Sequence, residues 1–169
     1  MSYSNKAFFL DRDGVLIDDV GYLNDIKKIK FLKHTYKALG LLTRKNFKLI
    51  IITNQSVVGR GFITENYLKK IHNNIKKRLK EKKIKISGIY YCPHHPKYGI
   101  GKYKTNCKCR KPNNQLIKKA IAEHKMDKKK SFFIGDKLSD KRCAVRSKIN
   151  FSYRSKKNFY LQVKRLINK

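Results

Sequence analysis

Short apolar runs and longer amphipathic stretches alternate along this chain. Runs such as Ala7-Phe8-Phe9-Leu10 and Leu49-Ile50-Ile51-Ile52 are too short for a buried helix and too uniformly apolar for a strand with one wet face. They predict buried strands at 6–10 and 48–52, and further strands are expected near residues 87–91, 131–134 and 149–153. Between them apolar residues recur at helical intervals of three and four. Tyr67, Leu68, Ile71, Ile75 and Leu79 fall on one face of a helix predicted over residues 64–83, with Thr64 as its N-cap. Further helices are predicted over 32–45, 113–124, 139–147 and 156–167. Such alternation predicts βαβ units around a central parallel sheet, an α/β protein of one domain over residues 1–169. The stretch 92–112 has neither period, and a loop of that length is functional or is held by something.

Three of the apolar runs end in polar residues. After Leu10 come Asp11 and Asp13, one residue apart, with Gly14 to let the chain turn. Parallel sheets place ligands at the carboxyl ends of their strands, so the two carboxylates can face one small volume. There they can hold a divalent cation, and one can attack while the other manages protons. After Ile52 come Thr53-Asn54-Gln55-Ser56, a hydroxyl and backbone N–H groups suited to a phosphate oxygen. Phe132-Phe133-Ile134-Gly135 ends in Asp136, which can complete a metal site with Asp11. Arg110-Lys111 adds a bidentate and a point cation at the end of the long loop.

Composition changes this picture in two places. The formal charge of +32, from 43 Lys and Arg against 11 Asp and Glu, brings nucleic acid to mind. The cations are mostly Lys, however, and are spread along the whole chain, so solvated faces are expected rather than a nucleic-acid surface. No stretch approaches the roughly 18 apolar residues of a membrane span, and the Met1 end lacks an apolar leader segment, so a cytoplasmic protein is expected. Among the four cysteines, Cys92, Cys107 and Cys109 lie close together in a chain without a secretory signal, which favours metal over disulfide. With His94 or His95, between which spacing does not decide, they make a closed tetrahedral set for a structural Zn²⁺. Cys143 is left as a reduced helix residue.

In order, Asp11-x-Asp13, Thr53, Arg110-Lys111 and Gly135-Asp136-x-x-x-Asp140 resemble the four motifs of the haloacid dehalogenase superfamily of phosphotransferases. The resemblance implies a Rossmann-like three-layer sandwich, with Asp11 as nucleophile and Asp13 as general acid and base. It implies Mg²⁺ on the Asp11 and Asp136 carboxylates and the Asp13 backbone carbonyl, with Asp140 as support. Thr53 and Lys111 would hold the transferring phosphoryl group. The loop Cys92-Pro93-His94-His95-Pro96 with Cys107 and Cys109, and Gly59-Arg60-Gly61, are similar to the heptose bisphosphate phosphatases, which share acids and loop with the histidinol-phosphatases. That likeness favours His94 as the fourth zinc ligand. It also implies Asp19, Val20, Gly21 and Tyr22 against a sugar phosphate with Asn54, Gln55 and Ser56, Arg110 in its recognition, and Lys137 on phosphate.

The chain departs from the family pattern at Asn113-Asn114-Gln115 and over Lys141 to Arg146, which puts helix packing beside the site in question. The segment between Asp13 and Thr53 is too short for a large cap domain, so loops must select the substrate, and a monomer is expected. A polynucleotide end phosphatase would use the same acids together with the basic charge.

Overall fold

The computed structural model describes residues 5–168, so Met1–Ser4 lie outside it. All five predicted strands form: β1 (Ala7–Leu10), β2 (Lys48–Asn54), β3 (Ile86–Cys92), β4 (Phe132–Gly135) and β5 (Asn150–Tyr153). They make one parallel sheet in the order β3-β2-β1-β4-β5. In β1 every residue is buried, and Phe9 lies opposite Ile50 of β2 and Phe133 of β4.

Successive side chains of a strand face opposite ways, so the sheet has two apolar faces and needs two layers of helix. Phe8, Leu10, Leu49 and Ile51 pack under α1 (Thr35–Arg44), α3 (Glu65–Glu81) and α6 (Phe159–Ile167), against Leu39, Leu42, Ile71, Ile75, Leu79, Phe159 and Val163. Ala7, Phe9, Ile50 and Ile52 face the other layer, α4 (Gln115–His124) and α5 (Leu138–Ser147), through Ile117, Ala120, Cys143 and Ala144. The predicted three-layer sandwich is therefore present, and Cys143 is a buried free thiol of its second layer.

Local chemistry sets the helix ends. Thr64 accepts from the Tyr67 amide at 3.1 Å, as its predicted cap role requires. α1 starts three residues later than its apolar pattern, because His34 takes a left-handed φ of 69° just before it. α6 starts at the cap Asn158, whose side chain accepts from the Leu161 amide at 3.0 Å. One helix escaped the periodicity altogether: α2 (Ser56–Gly59) has only four residues, too few to show a period.

The segments that depart from the family pattern bind each other. Arg146 donates to the Asn113 side chain at 2.7 Å, and the Asn114 amide donates to the Arg146 carbonyl at 2.8 Å. Lys141, Arg142, Val145 and Arg146 point to solvent while Cys143 and Ala144 face the sheet. The bulky residues thus lie off the packed face.

Candidate active site

With β1 central and β2 and β4 beside it, the residues that follow these strands must meet at one edge of the sheet. Asp11 leaves β1 with its Oδ1 accepting the Arg12 amide at 2.7 Å and the Lys111 ammonium at 3.0 Å. That ammonium also donates to the Ile52 carbonyl at 2.9 Å and meets the Asp140 carboxylate at 2.7 Å. Lys111 is 3 % exposed and Asp140 fully buried. Asp140 in turn accepts the amides of Asp136 and Lys137 at 3.2 and 3.1 Å, which fixes the first turn of α5. Through these bonds Asp140 ties Lys111 to the start of α5. Burial acts to lower the Lys111 value, but the carboxylates of Asp11 and Asp140 outweigh it and hold the ammonium charged. Burial pushes the Asp11 carboxyl up to about 7, with Lys111 pulling the other way.

Asp136 follows β4 and sits against Gly14, where φ is +76° and an added Cβ would collide with the Asp136 carboxylate. Its Oδ1 is buried and has no hydrogen-bond partner. Burial raises its carboxyl above the ordinary range. One carboxylate oxygen from each of Asp11, Asp136 and Asp140 lies within 4.8 Å of the others. An orphaned buried oxygen beside a second carboxylate is the donor chemistry of a hard divalent cation, so the residues present fit Mg²⁺.

Asp13 is held from both sides. Gln55 donates to its Oδ2 at 2.8 Å, and Arg12 donates from Nε at 3.1 Å and Nη2 at 2.9 Å. Gln55 also donates to the Thr53 hydroxyl at 2.9 Å, so Thr53 and Asp13 share one bridging amide. Asn54 and the backbone of Lys111 exchange two hydrogen bonds at 3.0 and 3.1 Å, which joins β2 to the end of the long loop. These side chains open onto a cavity of about 260 Å³ lined by Asp11, Asp13, Thr53, Ser56, Arg110 and Lys111 together with Asp19, Gly21, Tyr22 and Lys137. Lys137 closes one side through an ion pair to Asp19 at 2.8 Å.

The second metal-type cluster lies at the rim. Sγ of Cys92 is 2.9 Å from Cys109 and 3.4 Å from Cys107, and His94 Nδ1 is 3.3 Å from Cys109. No disulfide joins them. Thiolates bound to tetrahedral Zn²⁺ at about 2.3 Å stand about 3.8 Å apart, so the side chains converge as that ion requires. The choice between the two histidines falls on His94, because His95 Nδ1 accepts the Lys97 and Tyr98 amides and faces away. Between Pro93 and Arg110 only Gly99 is buried, so this loop has almost no core of its own. The carbonyl of His94 accepts from Arg110 at 3.0 Å, which aims that guanidinium into the cavity rim.

The structure thus gathers nearly every predicted site residue. Val20 does not line the cavity and is 45 % exposed. The side chain of Asn54 lines it while engaged with the Lys111 backbone. Val57 and Ser139 line the cavity without having been predicted. Both sit at helix starts just past a motif, a position that apolar patterning does not single out. Arg12 and His72, described below, were missed because each lies on a motif or helix whose neighbours explained it.

The family model described as polynucleotide kinase 3 phosphatase matches residues 6–164. The D-glycero-beta-D-manno-heptose-1,7-bisphosphate 7-phosphatase of Haemophilus influenzae is 38 % identical over 148 residues, 88 % of this chain and 80 % of that protein. The crystal structure of D,D-heptose 1,7-bisphosphate phosphatase from B. bronchiseptica, complexed with magnesium and phosphate, superposes with a TM-score of 0.82 at 21 % identity, covering 96 % of this chain and 98 % of that one. A HAD-superfamily hydrolase from Ehrlichia chaffeensis gives a TM-score of 0.61 at 16 % identity, covering 99 % and 98 %. With the sandwich and a family model spanning nearly its whole length, this chain belongs to the polynucleotide kinase 3 phosphatase family.

Proposed function

We propose that this protein removes the 7-phosphate of D-glycero-D-manno-heptose 1,7-bisphosphate to leave heptose 1-phosphate, a cytoplasmic step toward nucleotide-activated heptose for lipopolysaccharide core. The observation that carries the reading is the Asp11–Lys111–Asp140 ion cluster beside Asp13 and the unpartnered Asp136 oxygen, at the floor of a cavity with a second cation, Arg110, at its rim. A bisphosphate needs two separate cationic contacts, one at the reacting phosphate and one at the remote phosphate. Lys111 and Arg110 supply them.

In the first half-reaction an Asp11 oxygen attacks phosphorus, the bond from phosphorus to the sugar oxygen breaks, and Asp13 gives its proton to that oxygen. In the second, water attacks the same phosphorus, Asp13 takes the proton of the water, and the bond to Asp11 breaks to release phosphate and restore the carboxylate. Thr53 and Lys111 hold the phosphoryl oxygens. The residues that would hold Mg²⁺ are Asp11, Asp136 and the Asp13 carbonyl, and when bound the ion offsets the repulsion between an anionic nucleophile and a phosphate dianion. Cys92, His94, Cys107 and Cys109 would hold a structural Zn²⁺, which would set the direction of Arg110. A monomer suffices, since every proposed group comes from one chain.

The test is phosphate release in Mg²⁺ from heptose 1,7-bisphosphate, histidinol phosphate and a 3′-phosphorylated oligonucleotide, with Asp11→Asn as control. Selective hydrolysis of the heptose bisphosphate supports the reading. Preference for histidinol phosphate overturns it. The family model's description and the charge of +32 favour one second reading, polynucleotide end dephosphorylation, which preference for the oligonucleotide would establish.

A further inference from the structure

Arg12 lies between the two catalytic acids and is 1 % exposed, the largest fully buried side chain of the molecule's described residues. Burying a guanidinium is costly, and an apolar residue of similar size would serve packing as well or better. Its bonds are also unlike those of a structural arginine. Arg154 donates to three backbone carbonyls, of Val15, Lys33 and Ser155, and so ties loops together. The side chain of Arg12 donates to no carbonyl. Nε and Nη2 go to Asp13, at 3.1 and 2.9 Å, and Nη1 lies 3.2 Å from Nε2 of His72 on α3.

A guanidinium has donors only, so Nε2 of His72 must be the acceptor and the ring must be neutral with its proton on Nδ1. Burial, seconded by the Arg12 charge, is consistent with this, since it pushes His72 down to about 3. His72 is braced in turn by the Tyr91 ring, edge to face at 5.6 Å. A continuous line of contacts therefore runs from α3 through His72 and Arg12 to the carboxylate that must reach the leaving group.

We propose that Arg12, oriented by His72, is the positioning residue that aims the Asp13 carboxyl at the departing sugar oxygen. The proposal rests on Asp13 acting as general acid, as read above. It has a consequence that packing alone lacks. In the first half-reaction, which kcat/KM reports, a misaimed acid matters when the leaving group is an alkoxide, which needs the proton, and matters little for p-nitrophenolate, which departs without one; the second half-reaction is common to both substrates.

The experiment compares kcat and KM on heptose 1,7-bisphosphate and on p-nitrophenyl phosphate for wild type, His72→Leu, His72→Gln and Asp13→Asn. Gln can present an acceptor near the position of Nε2, whereas Leu cannot. In His72→Leu the ratio of kcat/KM on the heptose bisphosphate to kcat/KM on p-nitrophenyl phosphate should fall about tenfold, within the range of general acid catalysis. His72→Gln should restore most of the ratio. If His72→Leu does not fold, His72→Asn, whose amide is too short to reach Nη1, gives the same readout. An unchanged ratio of kcat/KM values, or equal ratios in the Leu and Gln variants, would overturn the proposal. Asp13→Asn separates the two readings: if it too leaves the ratio unchanged, the general-acid reading fails and this inference with it, while a fall in Asp13→Asn alone sinks only the positioning role.

Discussion

Two regions face the same cavity and are held in place by different physics. The ends of β1, β2 and β4 are the continuation of largely buried strands, so Asp11, Thr53 and Asp136 inherit their positions from the sheet and the two helical layers on it. The segment from Pro93 to Arg110 has one buried residue, Gly99, and is held by a cluster of three thiols and an imidazole, by the hydrogen bond from the Ile100 amide to Gly59, and by Tyr103 donating to Glu65 at 2.7 Å. A hydrophobic core can position groups within a residue or two of a strand, but not a group as far out on a polar loop as Arg110 is from the end of β3 at Cys92. Zinc ligation would supply there what burial supplies at the strand ends, and Arg110, adjoining Cys109, would take its direction from the cluster.

The largest effect expected from breaking this division is chemical. Asp11→Asn should reduce turnover about 10⁴-fold or more, the scale of losing a covalent nucleophile. The melting temperature should not fall, since the replaced carboxyl is buried and repelled by Asp13 and Asp140. Parallel phosphate-release and thermal-melting measurements check both halves.

Next is removal of zinc by chelation or by Cys107→Ser. Structural zinc sites contribute on the order of 10 kcal/mol in small domains. Here the sheet has its own apolar core on both faces, so the loss should be smaller than that and confined to the loop. Hydrogen exchange should rise over residues 93–110 and stay low in β1 and β2. KM for the bisphosphate should rise more than kcat falls, because Arg110 loses its direction. Uniform exchange across the molecule would mean that the two regions are not separately held.

A smaller perturbation acts on their junction. At Gly59 an added Cβ would collide with the Pro93 carbonyl, so Gly59→Ala must push the loop away from α2. A loss of roughly 1–3 kcal/mol in denaturant unfolding is expected, the cost of overpacking, with a rise in KM. The last effect, absent at neutral pH, is a pH dependence on the core side. His72 is held at about 3 against 6.5 when unperturbed, so as pH falls the unfolded chain binds the proton first. Its stability contribution is therefore whole above pH 6.5 and drains below it, by at most about 1.4 kcal/mol per pH unit. In melting curves between pH 7 and 4, His72→Gln should flatten that slope.

The same division explains what could be read from the chain. Uninterrupted Ile, Leu and Phe announce doubly covered strands, and every strand lies within a residue or two of its apolar run. The acids were legible because they follow those runs directly. The loop was legible only through its ligand spacing, and spacing left His94 and His95 equal until backbone amides were seen to occupy His95. The four-residue α2 carries no period. Arg12 offered no signal because polarity beside two aspartates looks like an exposed turn, and His72 sits on the helical face already explained by Ile71 and Ile75. The mutual bonding of Asn113 and Asn114 with Arg146 was invisible for a different reason: it joins two segments far apart in the chain, each unusual only in the company of the other.

The most direct test of the central claim is to mix enzyme, Mg²⁺ and heptose 1,7-bisphosphate, quench in acid during the first turnover, and locate any phosphoryl group by peptide mass spectrometry. A phosphoryl group on the peptide carrying Asp11, absent after full turnover and absent in Asp11→Asn, is the predicted result. Sustained phosphate release with no phosphoryl enzyme at any time, or with the group on another residue, would contradict the account.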